Sequence, residues 1–335
     1  MKKYNFAIVG ATGVVGRTFL EAIEAYNLPI GELRLFASER SVGKKIVFMG
    51  KEYELQALKK GCFVGIDYAL FSAGGAVSKE WAPIAVSEGA IAVDNSSTFR
   101  ADDGCALVVP EINMEDIARH GNLIANPNCS TIQCVLPLKV IEDLFHLTRV
   151  VYSTYQATSG SGKKGLDDLE AGKRGEPMKF YPHDISKTCI PEIDVFGDDG
   201  YSKEEMKMVL ETRKILHRPE LAVVATCVRV PVPVGHGVSV LAECEKPVDL
   251  ALLRKALSEY EGIRVMDDPK NHQYPVSTVA VGNDLVYVGR IRKDISSPNA
   301  ILFYCVADNL RKGAAGNAVQ IVKKLIQEKE HGESL

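Results

Sequence analysis

The stretch NPNCST, Asn126 to Thr131, sets one cysteine between a short apolar run, NLIA, and a longer one, IQCVLPLKVIEDLF. A free thiol has a pKa of about 8.5 and is mostly protonated at neutral pH. At a helix start, backbone N–H groups and the helix dipole favour the thiolate, and the value can fall to roughly 3.5–7.5. Cys129 is therefore a candidate nucleophile, although a half-buried structural cysteine fits the same position. Three further places carry polar chemistry. Gln156 ends a strand-like run and is followed by SGSG. In LETRKILH, Glu211 and Lys214 lie three apart and share a helix face, as an ordinary solvated ion pair would. In RVPVPVGHG, Arg229 and His236 are seven apart. A straight strand would put them far apart and on opposite faces. PVPVGHG cannot be a regular central strand, so a bend can bring both into one site. A lone histidine is usually structural, but this one, between two glycines, gets little packing from its neighbours.

A second constellation points to a nucleotide. Gly10-x-x-Gly13-x-x-Gly16 follows the first apolar run directly and opens the first helix. Glycines there allow a tight turn and let backbone approach a pyrophosphate at the helix N-terminus. The motif is weak alone; its strand–turn–helix setting strengthens it. After the second strand comes ASERS. An acid at this point binds ribose hydroxyls in NAD enzymes, while Arg and hydroxyls receive the 2′-phosphate of NADP. Glu39 stands beside Arg40 here, and Ser38, Arg40 and Ser41 outnumber the acid, so NADP is the expected cofactor. A solvated loop is the plain alternative.

These groups need a frame. In the first half, strand signals (YNFAIVG, LRLFAS, DYALFSAG, AIAVDNS, NLIAN) alternate with helix signals over Val14–Tyr26, Val77–Ser87 and Ser130–Phe145. Short apolar strands separated by helices predict parallel strands buried on both faces, a Rossmann-type doubly wound α/β sheet. The second half reads as long strands (RVVYSTYQAT, AVVATCVRVPV, GVSVLAECE, LVYVGRIRKD, AILFYCVADN) with helices over 202–217 and 249–259. That predicts an α+β domain whose mixed sheet is covered on one face. GSGKKG and GDDG read as loops. The closing helix carries small and apolar residues from Ala314 to Leu325 and is expected to pack closely, back on the first domain. The expected division is 1–128 with 310–335 for the dinucleotide domain and 129–309 for catalysis and dimerisation.

The chain has 335 residues, enough for two cores, with 46% hydrophobic and 25% charged residues and a net charge of −3. No basic excess points to nucleic acid, and no apolar run is long enough to span a bilayer. The basic, then apolar start reads as a first strand rather than a signal peptide, because glycines follow too soon. Eight cysteines are scattered without a C-x-x-C pair, so no zinc site or disulfide framework is expected. A reducing, cytoplasmic compartment fits.

Taken together, GATGVVG, SERSVGK, DNSSTFR, VVPEIN, NPNCSTIQ, STYQATSGSG, ETRKIL, RVPVPVGHG and DNLRKGAAGNAVQI resemble the aspartate-β-semialdehyde dehydrogenase family over essentially the full length. The resemblance implies an NADP-dependent, reversible phosphorylating dehydrogenase. Such an enzyme makes aspartate semialdehyde from β-aspartyl phosphate on the route to lysine, threonine, methionine and diaminopimelate. It implies Cys129 as nucleophile, His236 as acid/base and Gln156 as the group that orients the acyl chain. Arg229 would bind the substrate carboxylate and Glu211 its ammonium, while Arg100 and Lys214 would hold phosphate. Gly10, Thr12, Gly13, Val14 and Val15 would line the pyrophosphate, with Ser159, Gly160 and Asn309 elsewhere along the cofactor. A homodimer or homotetramer is implied, with no nucleic-acid or membrane partner. Glu39 departs from the small residue more usual in SERS.

Three other readings fit less well. N-acetyl-γ-glutamyl-phosphate reductase shares the plan and mechanism, but its acylated amine needs no acid, so Glu211 argues against it. Glyceraldehyde-3-phosphate dehydrogenase has a different motif around its cysteine. A non-catalytic nucleotide-binding homologue would be expected to lack the cysteine or the histidine, and both are present.

Overall fold

The computed structural model describes residues 2–331. The chain forms two units, Met1–Pro127 with Ala314–Leu335, and Asn128–Gly313.

The first unit runs β1 (Tyr4–Val9), α1 (Val14–Ala25), β2 (Ile30–Phe36), β3 (Lys45–Phe48), β4 (Lys51–Gln56), β5 (Tyr68–Phe71), α2 (Gly75–Ser87), β6 (Ile91–Asp94), β7 (Ala106–Leu107), α3 (Asp116–His120) and β8 (Leu123–Ala125). Its sheet has the order β3-β4-β2-β1-β5-β6-β8-β7. Every pairing is parallel except the β3–β4 hairpin. The central strands are buried on both faces, which is why YNFAIV and YALF read as nearly continuous apolar runs rather than alternating ones. The β3–β4 hairpin was not expected from the sequence. Its strands, KIVF and KEYELQ, are broken by charges because they sit at the sheet edge and are mostly solvated.

The second unit runs α4 (Cys129–Phe145), β9 (Leu147–Gln156), α5 (Lys163–Lys173), α6 (Lys203–Ile215), β10 (Ala222–Arg229), β11 (His236–Cys244), α7 (Leu250–Glu259), β12 (Ile263–Val265), α8 (Ser277–Ala280), β13 (Val286–Lys293) and β14 (Ala300–Ala307). Its sheet order is β10-β9-β11-β14-β13-β12. The β10–β9 and β12–β13 pairs are parallel and the rest antiparallel, so the sheet is mixed as expected. On β9, Val150, Tyr152, Thr154 and Gln156 are buried, while Ser153 and Tyr155 on the opposite face are exposed. The buried face looks toward helices: the Tyr152 hydroxyl lies 2.9 Å from that of Thr212 on α6. GSGKKG is not wholly a loop. A short 3-10 turn, Thr158–Ser161, is followed at once by α5. Its glycines hide a helix start that propensity alone disfavours.

The chain closes with a π-helical turn, Arg311–Ala315, and α9 (Gly316–His331). Ala315, Ala318, Val319, Val322 and Leu325 join the core of the first unit with Phe19, Leu20 and Ile23 of α1, so the last helix returns to the first unit, as its small residues predicted. Burying each large apolar side chain there contributes about 1.5–3 kcal/mol.

Candidate active site

In the first unit, β1 is followed directly by Gly10, whose φ of +90° is open to glycine and strained for other residues. A Cβ on Gly16 would run into the carbonyl oxygen of Gly10, so α1 can start this close to the strand only without one. Gly13 is the N-cap of α1 and offers no side-chain cap, and Thr12 and Gly13 are exposed. The first N–H groups of α1, over Val14 and Val15, thus form the kind of helix start that receives a phosphate. Beside it is a cavity of about 280 Å³ lined in part by Gly10, Ser38, Glu39, Leu58, Val77 and Trp81. Its apolar wall and the open helix start fit a dinucleotide. Ser38 and Glu39 face the cavity, whereas Arg40 and Ser41, named from the sequence, are outside its lining. Leu58 and Trp81 carried no sequence signal, because one sits in a loop and the other on a helix that reads as ordinary core.

Arg100 belongs to the same unit. Its Nε donates to the Asn126 carbonyl at 2.8 Å and its Nη2 to that of Asn95 at 2.9 Å. The turn that carries it is pinned by buried Asp94, which accepts from Ser78 Oγ and Ser96 Oγ, each at 2.6 Å. A fixed guanidinium follows, not a floppy surface arginine.

The second unit opens on the cysteine. Asn128 caps α4: its Oδ1 accepts from the backbone N–H of Ser130 at 2.9 Å and of Thr131 at 3.3 Å. Cys129 is the first residue of α4 and is half-buried. A Cβ on Gly313, within the π-helical turn, would stand 2.9 Å from the Cys129 Cβ, so that glycine lets the turn lie against the cysteine. π-Helical turns are often found at functional sites. Cys134, one turn further along, is a different kind of thiol. It is fully buried 3.8 Å from Cys305 Sγ, and burial, then its hydrogen bond to Cys305, pushes its pKa well up.

His236 begins β11 and is wholly buried. The backbone N–H of Ala157 donates to its Nδ1 at 3.0 Å. Burial first, and the Arg229 charge second, hold the imidazole well below its usual value, so the ring is neutral. A neutral ring that accepts at Nδ1 must carry its hydrogen on Nε2. Gln133, one turn beyond Cys129 on α4, donates to the His236 carbonyl at 3.1 Å and so ties the cysteine's helix to the histidine's strand. Arg229 ends β10, is 4% exposed, and donates from Nη1 to the Ala157 carbonyl at 2.7 Å. A Cβ on Gly160 would be 2.7 Å from Arg229 Nη1 and 3.2 Å from His236 Nε2. The bend between β10 and β11 thus brings Arg229 and His236 onto one small space. His236 Nε2 is buried there without a hydrogen-bond partner among the described residues, and Arg229 Nε is likewise buried and unsatisfied.

Glu211 is 4% exposed, and its Oε2 accepts from the Asn128 N–H at 2.5 Å. It is buried rather than solvated, and it sits behind the cysteine's helix cap. Lys214, on the next turn of α6, is half-buried. Gln156 is buried at the end of β9. Ser159 and Asn309 are buried and bonded, Asn309 Nδ2 to Ser159 Oγ at 2.9 Å, while Asn309 Oδ1 accepts from the Gly235 N–H at 2.8 Å. The residues that sequence reasoning left out are Asn128, Gln133, Ala157 and Gly313. Asn128 had a signal, an Asn just before an apolar run, and Gln133 lies four residues from Cys129. Ala157 and Gly313 act through backbone and through space, which no pattern marks.

The semialdehyde dehydrogenase NAD binding domain model matches residues 5–120, and the semialdehyde dehydrogenase dimerisation domain model matches residues 138–312. An aspartate-semialdehyde dehydrogenase of Aquifex aeolicus is 51% identical over 335 residues, 97% of this chain and 98% of its own. One from Bacillus subtilis is 44% identical, with 96% and 97% covered. The structure of aspartate semialdehyde dehydrogenase II complexed with ASA from Vibrio cholerae matches with a TM-score of 0.94 at 45% identity, covering 98% of this chain and 99% of that one. The enzyme with NADP from Candida albicans matches at 0.78 and 25% identity, with 97% and 99% covered. The chain belongs to the aspartate-semialdehyde dehydrogenase family.

Proposed function

We propose that the protein interconverts β-aspartyl phosphate and aspartate semialdehyde through a thioester on Cys129, with NADP as the preferred dinucleotide. The observation that carries this reading is His236 Nε2, buried without a hydrogen-bond partner among the described residues and standing with Arg229 Nη1 beside Gly160. Buried polar groups are nearly always paired, so an imidazole nitrogen left open beside a buried guanidinium suits a polar ligand. The family supplies the ligand's class.

Cys129 attacks the acyl carbon of the acyl phosphate. The C–S bond forms, the bond to phosphate oxygen breaks, and phosphate leaves with the electron pair. When bound, a dinucleotide would supply or accept the hydride. Cys129 then holds a thiohemiacetal; the C–S bond breaks, the thiolate is restored and the aldehyde departs. His236, neutral with its hydrogen on Nε2, donates a hydrogen bond to the oxygen where charge develops, and the ordering of Nδ1 by Ala157 sets that polarity. In this reading Gln156 orients the acyl group, Arg229 receives the carboxylate by its planar fork, and Glu211 receives the ammonium. Arg100 and Lys214 hold phosphate. Gly10, Thr12, Gly13, Val14, Val15, Ser38, Arg40 and Ser41 serve the dinucleotide on the first unit, and Ser159, Gly160 and Asn309 on the second.

A second copy of the chain is assigned to the face of the second sheet that carries Ser153 and Tyr155, giving a homodimer or, by pairing of dimers, a homotetramer. A cavity of about 520 Å³ on this unit is lined in part by Tyr155, Ser239, Arg290 and Tyr304. The matched dimerisation domain covers these strands. No described helix is long and apolar enough to cross a membrane, and eight cysteines outside any disulfide suit a reducing cytoplasm. The deciding assay follows phosphate-dependent reduction of NADP⁺ with aspartate semialdehyde and, in parallel, with N-acetylglutamate semialdehyde. Turnover with the first and little with the second is expected; the reverse would make the chain an N-acetyl-γ-glutamyl-phosphate reductase.

A further inference from the structure

We propose that Glu204 is a positioning residue of this site: one carboxylate sets the orientation of two amides, Asn128 at the cap of the cysteine's helix and Gln156 at the acyl position. The inference rests on the functional reading above for the roles of Cys129 and Gln156. Glu204 lies in the first turn of α6 and is 5% exposed. Its Oε1 accepts from Asn128 Nδ2 at 2.8 Å and from Gln156 Nε2 at 3.3 Å. The two ends of an Asn or Gln amide are alike in shape and differ only in polarity, and an ionised carboxylate can only accept. Asn128 must therefore turn Nδ2 toward Glu204, which leaves Oδ1 to accept from the N–H groups of Ser130 and Thr131. Gln156 must likewise give Nε2 to Glu204, and that nitrogen also reaches Thr154 Oγ1 at 3.3 Å. Its Oε1 is then the end left for a ligand.

The other oxygen of Glu204 faces a cation in this buried place. Oε2 meets Lys207 Nζ at 3.2 Å, and Lys207 also reaches Asp194 at 2.9 Å. Burial works against the Lys207 ammonium, but the charges of Glu204 and Asp194 outweigh it and raise its pKa, so the cation persists. Capping of α6 does not require Glu204. Ser202 and the neighbouring Glu205 form the complete capping box there, with Glu205 Oε2 accepting from the Ser202 N–H at 2.8 Å. A plain helix-start role would leave the choice of the next acid, aimed at Asn128 and Gln156, without a reason.

Glu204→Gln tests this in the full-length protein, because an amide there can donate and so lets both partner amides turn over. Two readouts are taken: the pH profile of iodoacetamide alkylation at Cys129, followed by peptide mapping, and the steady-state constants. The expected result is an alkylation profile displaced to higher pH, with kcat down on the order of tenfold and the KM for NADP within about twofold, as expected where the dinucleotide's own contacts are untouched. Glu204→Asp, which can only accept, should restore part of both. If Glu204→Gln does not fold, Glu204→Asp and Lys207→Met are compared instead. Lys207→Met should displace the alkylation profile in the same direction as the amide, and Glu204→Asp less. A wild-type profile with wild-type kcat in Glu204→Gln, or in Lys207→Met where that variant stands in, overturns the proposal. So does a drop in kcat with no change in the profile and no recovery in Glu204→Asp. Failure of the functional reading is separate: it would appear as no phosphate-dependent turnover in the wild type, while the alkylation arm would still report on Glu204 and Cys129.

Discussion

The Ala157 N–H donates to Nδ1 of His236 at 3.0 Å, and this one bond determines which nitrogen of the ring carries the hydrogen. Because burial and Arg229 hold the folded pKa well below the usual value, His236 in the proposed mechanism acts as a neutral donor. Its Asn variant should lose about 10²–10⁴-fold in turnover, the usual range for such a group, with cofactor KM little changed. The same shift has a stability consequence. Between the folded pKa and the unfolded value of about 6.5, the unfolded chain binds a proton that the folded chain refuses. The contribution is complete above the unfolded value and is lost as pH falls through the window. Thermal melts at pH 7 and pH 5 should therefore show a smaller acid-induced drop for His236→Asn than for wild type. An equal drop in both would mean that the folded histidine titrates normally.

Gly160 leaves the space that Arg229 and His236 share. Gly160→Ala puts a methyl 2.7 Å from Arg229 Nη1 and 3.2 Å from His236 Nε2. Both groups are buried and cannot swing away freely. The expected result is a loss of at least about tenfold in kcat/KM for the aldehyde, since misplacing catalytic groups by about an ångström is that costly. Folding should persist, as read by circular dichroism. Wild-type kinetics would show that this space is not where substrate binds.

Much of the frame was readable from residue order. Apolar runs such as YNFAIVG and YALF announce buried parallel strands, and Ala315, Ala318 and Val319 in the closing helix announce close packing in the first unit. The cysteine at its helix start was legible because the cap and the apolar run are contiguous. What was not legible depends on contacts distant in sequence. Ala157 acts through its N–H, Gly313 and Gly160 through missing atoms, and Glu211 looked like a surface partner of Lys214 until its burial against the Asn128 N–H was seen. The β3–β4 hairpin escaped because an edge strand need not be apolar.

The two anion sites should separate kinetically. Arg229→Ala should raise the KM for aspartate semialdehyde by about ten- to a hundredfold, the value of one charge-assisted bond. Arg100→Ala and Lys214→Ala should instead raise the KM for phosphate in the oxidative direction. Lys214→Arg should recover only part, because its geometry differs. If Arg229→Ala spared the aldehyde and weakened phosphate, the two assignments would be exchanged.

Glu39 faces the cavity beside the start of α1, proposed for the dinucleotide, and Arg40 does not line it, so the acid is the residue to change. Glu39→Gln removes a negative charge that would repel the 2′-phosphate of NADP and bind the ribose hydroxyl of NAD. The ratio of kcat/KM for NADP over NAD should rise by about tenfold, the scale of one hydrogen bond to a charged group. An unchanged ratio would show that Glu39 does not reach the ribose.

The thioester on Cys129 is the centre of the account, and a single-turnover experiment without phosphate reaches it directly. Aspartate semialdehyde and NADP⁺ are mixed with enzyme, NADPH is followed by absorbance, and the protein is quenched and peptide-mapped. With no phosphate to release the acyl group, the account predicts a burst near one NADPH per protomer and an aspartyl adduct on the peptide bearing Cys129. Cys129→Ser should show neither, while Cys134→Ser should show both. Sustained turnover without phosphate, or an adduct on any other residue, would contradict it.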